Sequence, residues 1–196
     1  MQRTGTTSLA RGLMQLKIVT RDHPKELMGD IQHPVIEAHQ AFTDNPIPFL
    51  YRELDALHPG SRFIHTERDE AAWIKSVEWL HSAGRVKFNW HLIPEIDAIN
   101  MRLYKRLDFD KEVFLAAYRE HNAGVREHFK ERPEDLLILD ITRGEGFEKI
   151  CPFLGIEIPA EDFPHWNTGT TPENPGATQS RGLGSRLKRA VRRLLG

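Results

Sequence analysis

The sequence predicts an α/β domain, with a mainly parallel sheet covered by helices on both faces and joined by right-handed crossovers. Two apolar runs carry this reading, Arg62-Phe63-Ile64-His65-Thr66 and Leu136-Leu137-Ile138-Leu139, both of the kind buried inside parallel sheets. Stretches of helical periodicity separate them. The length of 196 residues, 39% of them hydrophobic and 28% charged, suffices for one domain with a real core.

Taken in order, the polar stretch Arg3-Thr4-Gly5-Thr6-Thr7-Ser8 reads as a loop feeding a helix that starts near Thr6, with Leu9, Leu13 and Leu16 at helical spacing. Residues 34–42 predict a helix running into a short strand, Ala41-Phe42-Thr43. Asp44-Asn45-Pro46 ends that strand, because proline has no donor and disfavours helix before it. Residues 49–57 read as a helix with Leu50, Leu54 and Leu57 on one face, and His58-Pro59-Gly60 as a turn into the first apolar strand. Helical patterns return over 69–83, 93–107 and 111–130, with Phe114, Leu115, Tyr118, Val125 and Phe129 as expected core contacts. After the second apolar strand a last helix covers 146–154, and the Pro- and Gly-rich stretch from Pro159 to Gly184 has little core-forming content. The expected organisation is an α/β domain over 1–167 and an extension over 168–196.

The net charge of −1 speaks against a wholly basic nucleic-acid coat or an acidic disordered tail. It hides an asymmetry. Arg181, Arg186, Lys188, Arg189, Arg192 and Arg193 fall in the last 16 residues with no acid among them, so the preceding chain is acidic. Interleaved with Leu183, Leu187, Val191, Leu194 and Leu195, they can form a cationic amphipathic helix, read either as a solvated end helix or as a peripheral contact with an anionic membrane. The single cysteine, Cys151, sits in apolar surroundings and reads as a buried thiol of a reducing, cytoplasmic compartment. No uncharged run approaches the roughly 20 residues of a membrane helix.

Chemistry is expected just after the strands, where parallel sheets bind ligands. The loop Arg3-Thr4-Gly5-Thr6-Thr7-Ser8 combines a glycine, consecutive N–H groups at a helix N-terminus, hydroxyls and a fixed cation, which are the ingredients of an anion cradle. It lacks the Gly-Lys-Ser/Thr ending of a nucleotide-triphosphatase loop. The plainer alternative is a helix cap by Thr6 or Thr7. Arg68, at the end of a predicted strand, is followed eight positions later by Ser76, and the two can converge on one phosphate. Beside Glu67 and Asp69, the same arginine is equally readable as a surface ion pair.

Together these elements resemble the sulfotransferases that use 3′-phosphoadenosine 5′-phosphosulfate (PAPS). Arg3-Thr4-Gly5-Thr6-Thr7 is similar to that family's Lys-Ser-Gly-Thr-Thr loop, in a variant that looks like a bacterial-type branch, and Arg68 with Ser76 matches its 3′-phosphate signature. Leu136 to Asp140, then Phe147 to Gly155 and Pro159, is similar to its closing strand, helix and Phe-Leu-Gly segment. The resemblance covers about residues 2 to 167. It implies a three-layer P-loop-type fold whose first strand, which precedes the loop in the family, is missing here. It also implies that Thr4, Gly5, Thr6, Thr7 and Ser8 hold the phosphosulfate, and that Arg3, in the place of the family's lysine, stabilises the leaving oxygen.

The transfer also needs a base near the acceptor hydroxyl. Where many family members carry Thr-His-x-Pro this chain has Thr43-Asp44-Asn45-Pro46, so Asp44 is the first candidate, with capping of the following helix as its alternative role. His23, in Arg21-Asp22-His23-Pro24, is the second. Of the ten histidines, His33, His58, His81 and His128 read as solvated surface positions. Neither they nor Cys151 show the paired spacing of a zinc site, and the implied transfer needs no metal. Trp73, Trp79, Trp90 and Trp166 read as core or acceptor-pocket walls rather than nucleic-acid platforms. Asp140 invites a rival reading as the acidic partner of a phosphoryl-transferring kinase. A non-catalytic anion- or partner-binding relative is the alternative from another class. The expected partner is a small-molecule acceptor of unspecified identity.

Overall fold

A computed structural model describes residues 1–166. The helix α1 (Thr6–Gln15) opens the chain and sets Leu9 and Leu13 against Leu139, Ile141 and Ile150. The short strands β1 (Thr20–Asp22) and β2 (Ala41–Thr43) pair in parallel, with Thr20 opposite Ala41 and Asp22 opposite Thr43. After α2 (Ile47–Leu57), β3 (Phe63–Thr66) pairs in parallel with β4 (Leu136–Leu139), Phe63 opposite Leu136 and Thr66 opposite Leu139. Between them run α3 (Glu70–Trp79), a π-helical turn (Leu80–Gly84), the single turn α4 (Arg85–Lys87), α5 (Pro94–Tyr104) and α6 (Lys111–His128). The last helix is α7 (Phe147–Leu154).

A second core lies under α3, α5 and α6. Trp73 stacks on Tyr118 with centroids 4.1 Å apart, and Tyr104 stacks on Phe114 at 3.8 Å. Offset aromatic pairs of this kind stabilise beyond the area they bury. Asp69 and Asp110 cap α3 and α6 by accepting backbone N–H groups, which fixes where each helix starts.

The expected parallel α/β character holds, with two corrections. Residues 34–38 form turns, not a helix: Ile36 and Glu37 donate to carbonyls three residues back, at His33 and Pro34, and β2 follows directly. The expected continuous sheet is instead two separate parallel pairs, β1–β2 and β3–β4. Residues of β2 and β3 line an open groove together with α1, α2 and α6. Among the described residues no helix is long and apolar enough to cross a membrane. The basic tail from Arg181 lies outside the described residues.

Candidate active site

The loop before α1 ties the two strand pairs together. Thr4, fully buried, donates its hydroxyl to the Met1 carbonyl at 2.6 Å and lies 2.6 Å from the Thr66 hydroxyl at the end of β3. Thr6 donates to Asp44 Oδ2 at 2.8 Å, just past the end of β2. Gly5 sits between them with φ of 97°, and a Cβ there would lie 2.9 Å from Ile141 Cβ, so both conformation and space require glycine. The capping alternative for this segment does not describe it, because no side chain caps α1. The N–H groups of Thr6, Thr7 and Ser8 open the helix without a backbone partner, and oriented donors at a helix start attract an anion. Thr7 is half-buried and keeps its hydroxyl uncommitted among the described residues. The Ser8 hydroxyl is engaged instead with Trp166, accepting from its N–H at 2.9 Å.

Two guanidiniums converge on this loop. Arg3 donates from Nε to Ser76 Oγ at 2.7 Å, and Arg68 donates to the Arg3 carbonyl at 3.3 Å. The surface ion-pair alternative for Arg68 fails, because its flanking acids are used elsewhere: Glu67 pairs with Arg126 and Asp69 caps α3. Among the described residues, Arg68 Nε is buried without a hydrogen-bond partner. Burial, and then the neighbouring Arg68 charge, lower the Arg3 pKa, with Asp44 opposing. Two partly desolvated like charges side by side are costly until an anion joins them.

Asp44 and His23, the two base candidates, come together. They follow directly on β2 and β1, both in left-handed conformation at φ of 63° and 53°, and His23 Nε2 lies 3.6 Å from Asp44 Oδ2. Arg3 shares this conformation at φ of 66°. Non-glycine residues held there are uncommon and cluster at functional sites. Asp44 does not cap α2, whose N-terminus has no side-chain cap. Its carboxylate accepts from Thr6 and from the Asn45 N–H at 2.8 Å.

Sequence reasoning overlooked the supports of these groups. The Tyr118 hydroxyl clamps the Arg68 backbone, accepting from its N–H at 2.9 Å and donating to its carbonyl at 2.8 Å. Gln2 donates to the Tyr104 hydroxyl at 3.2 Å and accepts from Asn45 at 3.4 Å. The Trp79 ring lies under the Arg3 guanidinium at 5.7 Å, as an acceptor-pocket wall would, while Trp73 is core. These contacts span tens of residues and leave no local pattern to read. Two histidines expected on the surface are not solvated: His81 packs edge-on against Phe114 at 4.9 Å, and His128 meets Asp55 at 2.8 Å. Asp140 accepts from the Arg143 N–H and serves as a turn residue. Cys151 is a buried free thiol.

A family model described as the Sulfotransferase domain matches residues 20–171. The chain belongs to this sulfotransferase family. The matched stretch begins at Thr20 and includes His23, Asp44, Arg68 and Ser76, while the loop from Arg3 to Ser8 precedes it. The chain is also similar to "Ava biosynthesis cluster protein M" of Aspergillus versicolor, 25% identical over 161 residues. That alignment covers 72% of this chain, which spans about 59% of the relative's length.

Proposed function

We propose that this sulfotransferase-family chain moves a sulfuryl group from PAPS to a hydroxyl or amine of a small-molecule acceptor. The observation that carries the reading is the pair Arg3 and Arg68 beside the uncapped start of α1, an anion cradle with an unpartnered guanidinium nitrogen. PAPS fits such a cradle, since it carries a phosphosulfate at one end and a phosphate at the other, and it supplies the sulfuryl group. The N–H groups of Gly5, Thr6, Thr7 and Ser8 and the Thr7 hydroxyl would hold the phosphosulfate. Thr4 and the Thr6 side chain keep the loop in shape, and Arg68 with Ser76 would hold the 3′-phosphate. Arg3 would stabilise charge on the leaving oxygen with a permanent cation. The acceptor proton leaves at the Asp44–His23 pair.

The two strand pairs further support reading the domain, over 1–167, as a three-layer P-loop-type fold. The buried free thiol of Cys151 supports a reducing, cytoplasmic setting.

The test is thermal unfolding with added nucleotide, which detects binding by mass action. 3′-Phosphoadenosine 5′-phosphate is expected to raise the midpoint without magnesium while ATP does little. The reverse ranking would favour a phosphoryl-transferring kinase, and no shift with either a non-catalytic relative.

A further inference from the structure

We propose that His23 is the general base of this site and that Asp44 is its positioning residue, an inference that rests on the sulfuryl-transfer reading above. The two candidates differ in what surrounds them. The Asp44 side chain is 10% exposed and both its oxygens already accept hydrogen bonds, from the Thr6 hydroxyl and the Asn45 N–H, which leaves little of it open to an acceptor. The His23 side chain is 56% exposed and therefore open to an acceptor. Its Nε2 faces Asp44 at 3.6 Å, a separation typical of such pairs before substrate tightens them. With the Nε2 proton directed at the carboxylate, the lone pair sits on Nδ1.

The backbone builds this pair. Asp22 and Thr43 stand opposite each other at the ends of β1 and β2, Thr43 donates its hydroxyl to Asp22 at 2.7 Å, and the His23 N–H donates to the Thr43 carbonyl at 3.1 Å. Both chains then turn left-handed at the next residue, which brings the two side chains to one point. A third tie, from Thr6, links that point to the anion cradle. In the reaction the acceptor oxygen bonds to sulfur and loses its proton to His23 Nδ1. The bond from sulfur to the bridging oxygen breaks, and its electron pair stays on the departing phosphate beside Arg3. The charged groups around His23 are Asp44 across from it and, on its own segment, Arg21, Asp22, Lys25 and Glu26, of which Arg21 and Glu26 pair with each other.

The experiment measures pH–rate profiles on the 196-residue chain, using PAPS and 2-naphthol, with release of 3′-phosphoadenosine 5′-phosphate as the readout so that water also serves as acceptor. An imidazole base gives an acid limb near pH 6 to 7, and a carboxylate base one near pH 4. His23→Ala is expected to lower the rate by about 10²-fold or more and remove the upper limb, while binding of 3′-phosphoadenosine 5′-phosphate is kept. Asp44→Asn removes the carboxylate that orients the imidazole, so the rate should fall with partial activity remaining and 3′-phosphoadenosine 5′-phosphate binding kept. Asp44→Glu should restore most of the rate. An acid limb that survives His23→Ala, or an Asp44→Asn variant at least as inactive as His23→Ala, overturns the assignment. Absence of nucleotide binding by the unsubstituted protein overturns the sulfuryl-transfer reading itself.

Discussion

The Arg68 side chain donates to the main-chain carbonyl of Arg3 at 3.3 Å across 65 positions of sequence, and the Arg68 charge lies near enough to lower the Arg3 pKa. Folding tolerates the arrangement because each is tied elsewhere, Arg3 to Ser76 and the Arg68 backbone to Tyr118. An anion bound between them would relieve that repulsion.

Removing one of the two cations therefore separates binding from stability. Arg68→Met should weaken 3′-phosphoadenosine 5′-phosphate by at least about tenfold, or ~1.4 kcal/mol. The unfolding free energy should change by less than about 0.5 kcal/mol, since the loss of one hydrogen bond is offset by relief of repulsion. Titration calorimetry and urea unfolding of the same variant check both halves.

Gly5→Ala should damage the cradle directly. A Cβ at φ of 97° is strained and also meets Ile141 at 2.9 Å. The expected cost is about 1–3 kcal/mol by urea denaturation, with nucleotide binding lost. Gly60→Ala carries similar strain at φ of 84° but meets no atom within 4 Å, and it should leave binding intact.

Stability should fall on mild acidification. Burial, reinforced by Arg85, pushes the His81 imidazole down to about 4, and burial pushes His121 down to about 2. Both are neutral in the folded protein, whereas unfolded histidines take up protons below about pH 6.5. The unfolded state thus binds more protons between pH 6.5 and 4, and stability declines across that window as pH falls. His81→Phe, which keeps an aromatic ring against Phe114, should flatten the decline in urea midpoints measured between pH 7 and 4.5.

Gly12 is the docking point for the segment before Trp166. An added Cβ would lie 2.5 Å from the Phe163 ring, which also covers Gly146. Gly12→Ala should expel that ring, release the Ser8–Trp166 contact, and increase cleavage by chymotrypsin at Trp166. Limited proteolysis followed by mass spectrometry reads this out.

The elements legible in the sequence are those whose burial imposes a local pattern. β4 shows as a continuous apolar run because strands of a parallel pair are covered on both faces, and α6 shows through Phe114, Leu115, Tyr118 and Val125 on one stripe. β1 did not show: Thr20-Arg21-Asp22 is polar and three residues long, and only its pairing with β2 makes it a strand. The π-helical turn at Leu80–Gly84 likewise has no sequence signature, and it is what turns His81 inward against Tyr104 and Phe114.

For the site, the sequence by itself determined the chemical inventory: a glycine loop feeding a helix start, an arginine after a strand with a serine eight residues on, and an acid and a histidine in separate segments. Which of these meet was decided by the tertiary structure. Strand register set His23 against Asp44, and the ends of β2 and β3 drew Thr6 and Thr4 into opposite sides of one loop. The reason is physical. A residue type fixes what a group can donate, accept or ionise, while distance and desolvation, which decide whether it does so, come from packing between segments far apart in the chain.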